Sequence, residues 1–235
     1  MIIMKQNTIR VRNLSLNAQI NLIRAGVMGA NDGILSVAAI VLGVSAANVD
    51  THDILLAGFA GMLAGTISMA MGEYVSVHAQ RDAEERATAD EKLRLKLDPQ
   101  AEIDFVTHKY AASGLSRQLA AQAAREMFTS APVVTAVRER YDIDPHEQTS
   151  AMGAAVASFI SFPLGSLLPL LTISLVNSTW RIPATVGAVV AALMITGATA
   201  ARLGNANILR ATVRNVVAGL VTMVITTLVG HIFAR

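Results

Sequence analysis

QTSAMGAAVASFISFPLGSLLPLLTISLVNSTW, residues 148–180, runs for 33 residues without Asp, Glu, Lys or Arg. About 20 apolar residues cross roughly 30 Å of hydrocarbon as a helix, so this stretch marks a membrane span and decides the fold class. Working outward, residues 54–72, 182–201 and 215–234 are equally free of these four residue types. A fifth span at 22–47 carries Arg24 near its start and a single carboxylate, Asp32. The composition agrees: 53% of the chain is hydrophobic, mean hydropathy is +0.48, and only 15% is charged, against about 25% in a typical soluble domain.

Most of the charge gathers in residues 79–147, between the second and third spans. The sequence therefore predicts an all-α membrane protein with five transmembrane helices and a small helical domain inserted after the second. The divisions are an amphipathic lead-in at 1–21, spans one and two at 22–78, the insert at 79–147, and spans three to five at 148–235. Asp98-Pro99 reads as an N-cap followed by Pro at the first helical position, opening a helix to about Ala112. Ser113-Gly114 breaks it, Ser116 caps the next helix, and a short helix follows from Pro132 to about Arg140. Pro163 and Pro169 interrupt the backbone ladder of the third span, where neighbouring groups must meet the freed carbonyls.

Of 19 Lys and Arg residues, 17 fall on one side of this topology and only Arg181 and Arg235 on the other. The positive-inside rule places the N-terminus and insert in the cytoplasm and the C-terminus outside. The basic pI of 9.2 is thus a matter of membrane orientation, with a lipid bilayer and no nucleic acid as the partner. Arg10 and Arg12 precede an apolar stretch as in a leader, but Asn31-Asp32 interrupts it, so the segment reads as a retained span. Cysteine is absent, which excludes disulfides and thiolate metal sites.

Three groups of residues carry possible chemistry. A carboxylate at bilayer depth costs about 2.5–3.5 kcal/mol on insertion scales, so Asp32 is expected to serve a cation, a proton or a buried partner. Met28, Asp32, Leu35 and Ser36 share one face of the first span, and Met62, Thr66, Met69 and Glu73 share one face of the second. Carboxylate with thioether suits a partly soft divalent ion such as Fe(II) or Mn(II). Gly29–Gly33 and Gly61–Gly65 are G-x-x-x-G pairs, which let helix backbones pack closely. In the insert, Asp82, Glu84, Glu85, Asp90, Glu91, Glu102 and Asp104 offer oxygen ligands, with His78 and His108 nearby. Arg81, Arg86, Lys92, Arg94 and Lys96 interleave with them, as on a solvated helix laced with ion pairs. No nucleophile–base arrangement is recognisable, so an enzyme is not expected.

Gly29-Ala-Asn-Asp-Gly-Ile-Leu35, Ala64-Gly-Thr-Ile-Ser-Met-Ala-Met-Gly-Glu-Tyr-Val-Ser-Val77 and Gln80-Arg-Asp-Ala-Glu84 resemble the vacuolar iron transporter family, including its bacterial iron and manganese branch. The resemblance covers nearly the whole chain. It implies a homodimer that exchanges protons for Fe2+ or Mn2+ along a path between protomers. It also implies that Asp32 and Met69 line the path with Glu73 near its cytoplasmic end, that the insert gathers metal, and that no cofactor is tightly bound. The insert departs from the family pattern of paired E-x-x-E motifs and further Met and Glu ligands. The first pair reads Glu91-Lys-Leu-Arg94, the second Glu102-Ile-Asp-Phe105, and the last insert helix has Ala136-Val137 and Arg140. Glu91 and Glu102 survive, with Asp104 and Glu139 as substitutes, and a carboxylate usual upstream in the second span is Gly61 here. The expected function is metal export for iron and manganese homeostasis from a bacterial plasma membrane. The alternative is a non-transporting membrane module whose helical insert binds a protein partner.

Overall fold

A computed structural model describes residues 16–47, 49–144 and 150–234. Eight helices follow one another among them: α1 Leu16–Ala46, α2 Thr51–Leu97, α3 Pro99–Ala112, α4 Arg117–Ser130, α5 Pro132–Tyr141, α6 Ala151–Leu175, α7 Arg181–Leu203 and α8 Ile208–Phe233. No strand occurs among the described residues. Five of the helices, α1, α2, α6, α7 and α8, are long and apolar enough to cross a membrane. The first fifteen residues of the expected lead-in lie outside the described residues. From Leu16 onward the chain is already part of α1, because Asn17, Gln19 and Asn21 are polar without breaking a helix.

Two compact units divide the chain, residues 1–75 with 150–235, and residues 76–149. In the first unit α1 is the central helix and contacts α6, α7 and α8. Its sequence dictates this, since it is apolar on more than one face. Ile34, Ala38 and Leu42, spaced at i and i+4, pack against Val189 and Leu193 of α7 and Met223 of α8. Val37 and Val41, on the adjoining face, pack with Ile54 of α2 and Phe162, Leu170 and Ile173 of α6. The outer faces stay apolar but unburied: Leu56, Leu63, Ile67 and Met71 of α2 are 56–61% exposed. A soluble protein rarely leaves such a stripe in water, whereas a bilayer solvates it.

The tightest contact is between α1 and α6. A Cβ on Gly33 would strike the Phe162 carbonyl, and one on Gly165 would strike the Ala30 carbonyl. The two helices therefore approach backbone to backbone, each through its own glycine. Ser166 Oγ donates to the carbonyls of Gly33 at 3.2 Å and Phe162 at 2.9 Å, and Ser158 Oγ donates to the Ala25 carbonyl at 3.3 Å. These serines keep their hydroxyls satisfied inside an apolar bundle. Pro163 and Pro169 sit within α6, which remains helical through both.

In the second unit, α3, α4 and α5 pack with the C-terminal part of α2 around Val106, Ala124, Phe128 and Ala136. Local signals set the boundaries. Asp98 accepts from the Ala101 amide at 3.0 Å with Pro99 next to it, and Ser116 accepts from the Leu119 amide at 3.3 Å. Each cap satisfies one of the four unpaired amides at a helix start.

Candidate functional site

Asn31 and Asp32 are neighbours on α1, about 100° apart around a helix with 3.6 residues per turn, so they face different ways. Asn31 turns into the bundle. Its Oδ1 accepts from Thr196 Oγ1 of α7 and from Asn215 Nδ2 of α8, both at 2.8 Å. Asn215 Nδ2 also reaches the Leu193 carbonyl at 2.9 Å and Thr196 Oγ1 at 3.1 Å. On the other flank Gly33 is seated against the α6 backbone. With both neighbours pinned, α1 has little freedom to rotate, and Asp32 is left exposed on the chain. Ser36 Oγ, one turn on, donates to Asp32 Oδ1 at 2.7 Å. A carboxylate held this way on an apolar helix is aimed at something outside the single chain or at water.

Met28, one turn before Asp32, is 48% exposed. It lines a cleft of about 260 Å³ with Ile23, Arg24 and Val27 of α1 and Ala200 and Leu203 of α7. On α2, Met62 and Met69 are partly buried against the Val37–Phe162–Leu170 seam. Glu73, one turn beyond Met69, is half-buried. Gly61 and Gly65 place α2 on this seam, since a Cβ at Gly61 would meet the Ile40 side chain and one at Gly65 the Phe162 ring. Gly29 faces the Ser161 side chain and, farther off, the Ser158 backbone of α6.

Of the insert acids only Glu91 and Glu102 are brought together, and Arg140 lies between them. Among the described residues no three of His, Asp and Glu are grouped to hold a metal ion, and Glu84, Glu91, Glu102, Asp104 and Glu139 each have another partner. Glu84 accepts from Gln80 Nε2 and Asp104 from Gln100 Nε2, both at 2.8 Å. Glu139 pairs with Lys109 Nζ at 2.8 Å and accepts from the Tyr110 hydroxyl at 2.9 Å. Burial alone would raise the Glu139 carboxyl, but the Lys109 and Tyr110 hydrogen bonds outweigh it and hold the group below its ordinary range. Glu102 Oε2 accepts from Arg140 Nη2 at 2.6 Å, and Glu91 Oε1 lies 2.9 Å from Arg140 Nε. Burial, and then the neighbouring Glu102, push the Glu91 carboxyl up.

A family model described as the VIT family matches residues 23–231, nearly the whole chain. The chain belongs to the VIT family. It is similar to a vacuolar iron transporter of Acanthamoeba castellanii, 33% identical over 211 residues, which cover 89% of this chain and 78% of the relative. It is also similar to vacuolar iron transporter homolog 2 of Oryza sativa subsp. japonica, 34% identical over 214 residues and 90% of each chain. Homolog 2 of Arabidopsis thaliana is 32% identical over 205 residues, 87% of this chain and 80% of the relative.

In this VIT-family chain the Asn31–Thr196–Asn215 network is a feature that sequence reasoning missed. The available signal was Asn215 itself, an amide in an otherwise apolar span. A Cβ at Gly197 would crowd Thr212 and Asn215, so that glycine lets α8 bring its amide to α7. Interhelical hydrogen bonds in membranes contribute about 0.6 kcal/mol on average and up to roughly 1.7. Asn215→Leu removes several at once and should destabilise the protein by about 1–2 kcal/mol. Thermal unfolding in detergent checks this, and an unchanged midpoint would deny the network any weight.

Proposed function

We propose that this chain carries a divalent transition metal, Fe(II) or Mn(II), out of the cytoplasm in exchange for protons. The observation that carries the reading is Asp32, a carboxylate fixed in direction by Asn31 and Gly33 on a membrane-spanning helix of a VIT-family protein. The relatives named vacuolar iron transporters support metal as cargo, and their names speak for a transporter rather than an enzyme. Asp32 binds metal and proton in turn. Met69, with Met28 and Met62 as further thioethers, favours a softer ion over Mg(II) or Ca(II), and Glu73 guides ions from the cytoplasmic side.

The working form is a homodimer with the path between protomers. Ala60, Ala64, Ser68 and Gly72 recur every four residues on α2 and are all exposed, a small-residue stripe suited to close helix contact. The bias of Lys and Arg supports a cytoplasmic N-terminus and insert, with the C-terminus outside, and the membrane proposed for it is a bacterial plasma membrane. Purified protein in liposomes should move Mn(II) down a gradient and move protons the opposite way. Metal movement with no accompanying pH change removes the exchange mechanism, and no movement of either ion removes transport.

One observation favours a second reading, in which the insert docks a cytosolic protein. Leu95, Ile103, Phe128 and Pro132 floor a groove of about 600 Å³ that Lys92, Lys96 and Arg125 also line. If the full-length chain neither binds nor moves metal but retains an acidic partner that Arg125→Glu releases, this reading replaces the first.

A further inference from the structure

Glu91 of α2 and Glu102 of α3 lie 0% and 5% exposed. Two buried carboxylates facing one space cannot both stay ionised without positive charge between them. A proton, a metal ion or a basic side chain can supply it. Here a side chain of the protein supplies it: Arg140 of α5 reaches Glu102 at 2.6 Å and Glu91 at 2.9 Å. Its guanidinium carbon stands 4.0 Å from the centroid of the Phe105 ring, which covers the cation from one side. Arg94 adds a second guanidinium 3.6 Å from Glu91 Oε1. Two carboxylates thus meet two positive charges, the same balance one divalent ion would give.

We infer that Glu91 and Glu102 form a cation site for which the chain supplies its own occupant, with Arg140, helped by Arg94, permanently in the place of a divalent ion. The unit of residues 76–149 then holds its fold without metal and does not respond to it. The ligation is also incomplete in a telling way. Glu91 Oε1 and Arg140 Nε are not aligned for a hydrogen bond although 2.9 Å apart, so the contact between them is ionic rather than directional, and the Tyr141 hydroxyl also faces Glu91. Glu91 therefore keeps lone pairs that a hard ion could use. Removing the guanidinium should turn a closed, self-filled site into an open one for Mn(II). This inference stands apart from the transport reading, since its readouts are exchange and binding within one unit and flux has no bearing on them.

The test uses the full-length protein in detergent, with hydrogen exchange followed over residues 99–141 in the presence and absence of saturating Mn(II). Wild-type exchange should not change with Mn(II). Arg140→Met leaves buried carboxylates uncompensated and should speed exchange roughly 100-fold, with at least about tenfold of the protection regained on adding Mn(II). The triple variant Glu91→Gln, Glu102→Gln, Arg140→Met should lose that response. Mn(II) protection of the wild-type unit, or an Arg140→Met protein indifferent to Mn(II), overturns the inference. If Arg140→Met does not fold, Mn(II) bound per chain decides. Glu91→Gln with Glu102→Gln in the Arg140 background should leave the wild-type number unchanged, and loss of an ion contradicts the assignment.

Discussion

Replacing Asp32 with asparagine should cut Mn(II) flux in proteoliposomes roughly 100-fold while leaving the protein as stable as the wild type or more so. A charged ligand contributes up to about 3 kcal/mol to holding a cation, and each 1.4 kcal/mol is tenfold. Asparagine is the informative choice. Its Oδ1 can still accept the Ser36 hydroxyl now bonded to Asp32 at 2.7 Å, so a purely structural role would survive the change. Removing the charge also relieves the cost of a carboxylate at membrane depth, about 2.5–3.5 kcal/mol on insertion scales. Unchanged flux in Asp32→Asn would leave Asp32 as a local hydrogen-bond partner of Ser36 and rule out the ion-ligand role proposed for it. Asp32→Ala should lose flux to the same extent, because the hydroxyl contact is not what binds the ion.

The second large effect is on folding. Gly33→Leu should fail to fold or lose about 3 kcal/mol or more, at the upper end of what overpacking costs. The added atoms would meet the Phe162 carbonyl oxygen and carbon, which are backbone and cannot swing aside as a side chain would. To make room α1 and α6 must separate. That breaks the Ser166–Gly33 and Ser158–Ala25 hydrogen bonds and opens the space around Phe162, now 1% exposed. Gly165→Leu should do the same from the other helix, against Ala30. Gly26 and Gly187 are the controls, because a Cβ there meets nothing within 4 Å. Alanine at either should be neutral or slightly stabilising through helix propensity. Thermal unfolding and size-exclusion profiles in detergent separate the cases, and a folded, wild-type-like Gly33→Leu would refute the backbone-contact account.

How much of this was readable in the chain follows from the range of the interactions. Four of the five spans came from runs without charge and the first from an apolar run interrupted by Asp32, which is a local property of hydropathy and length. The caps at Asp98 and Ser116 were equally local, since an N-cap and its amide lie three residues apart. The insert chemistry was not local. Glu91, Glu102, Asp104 and Glu139 all carry the right oxygen for a metal, and only the packing of α2, α3 and α5 reveals that the first two share Arg140. The same holds for Asn31-Asp32. The pair was visible, but which residue turns inward depends on Thr196 and Asn215, more than 160 positions away in sequence. The lead-in at 16–21 merged into α1 because hydropathy marks where a span is greasy, not where its helix starts.

Anomalous scattering at the iron and manganese edges, from crystals of the full-length protein grown with each metal, tests the central claim most directly. The account predicts a metal peak at the Asp32 carboxylate and none between Glu91 and Glu102, where Arg140 already sits. A peak in the insert with nothing at Asp32 would contradict it.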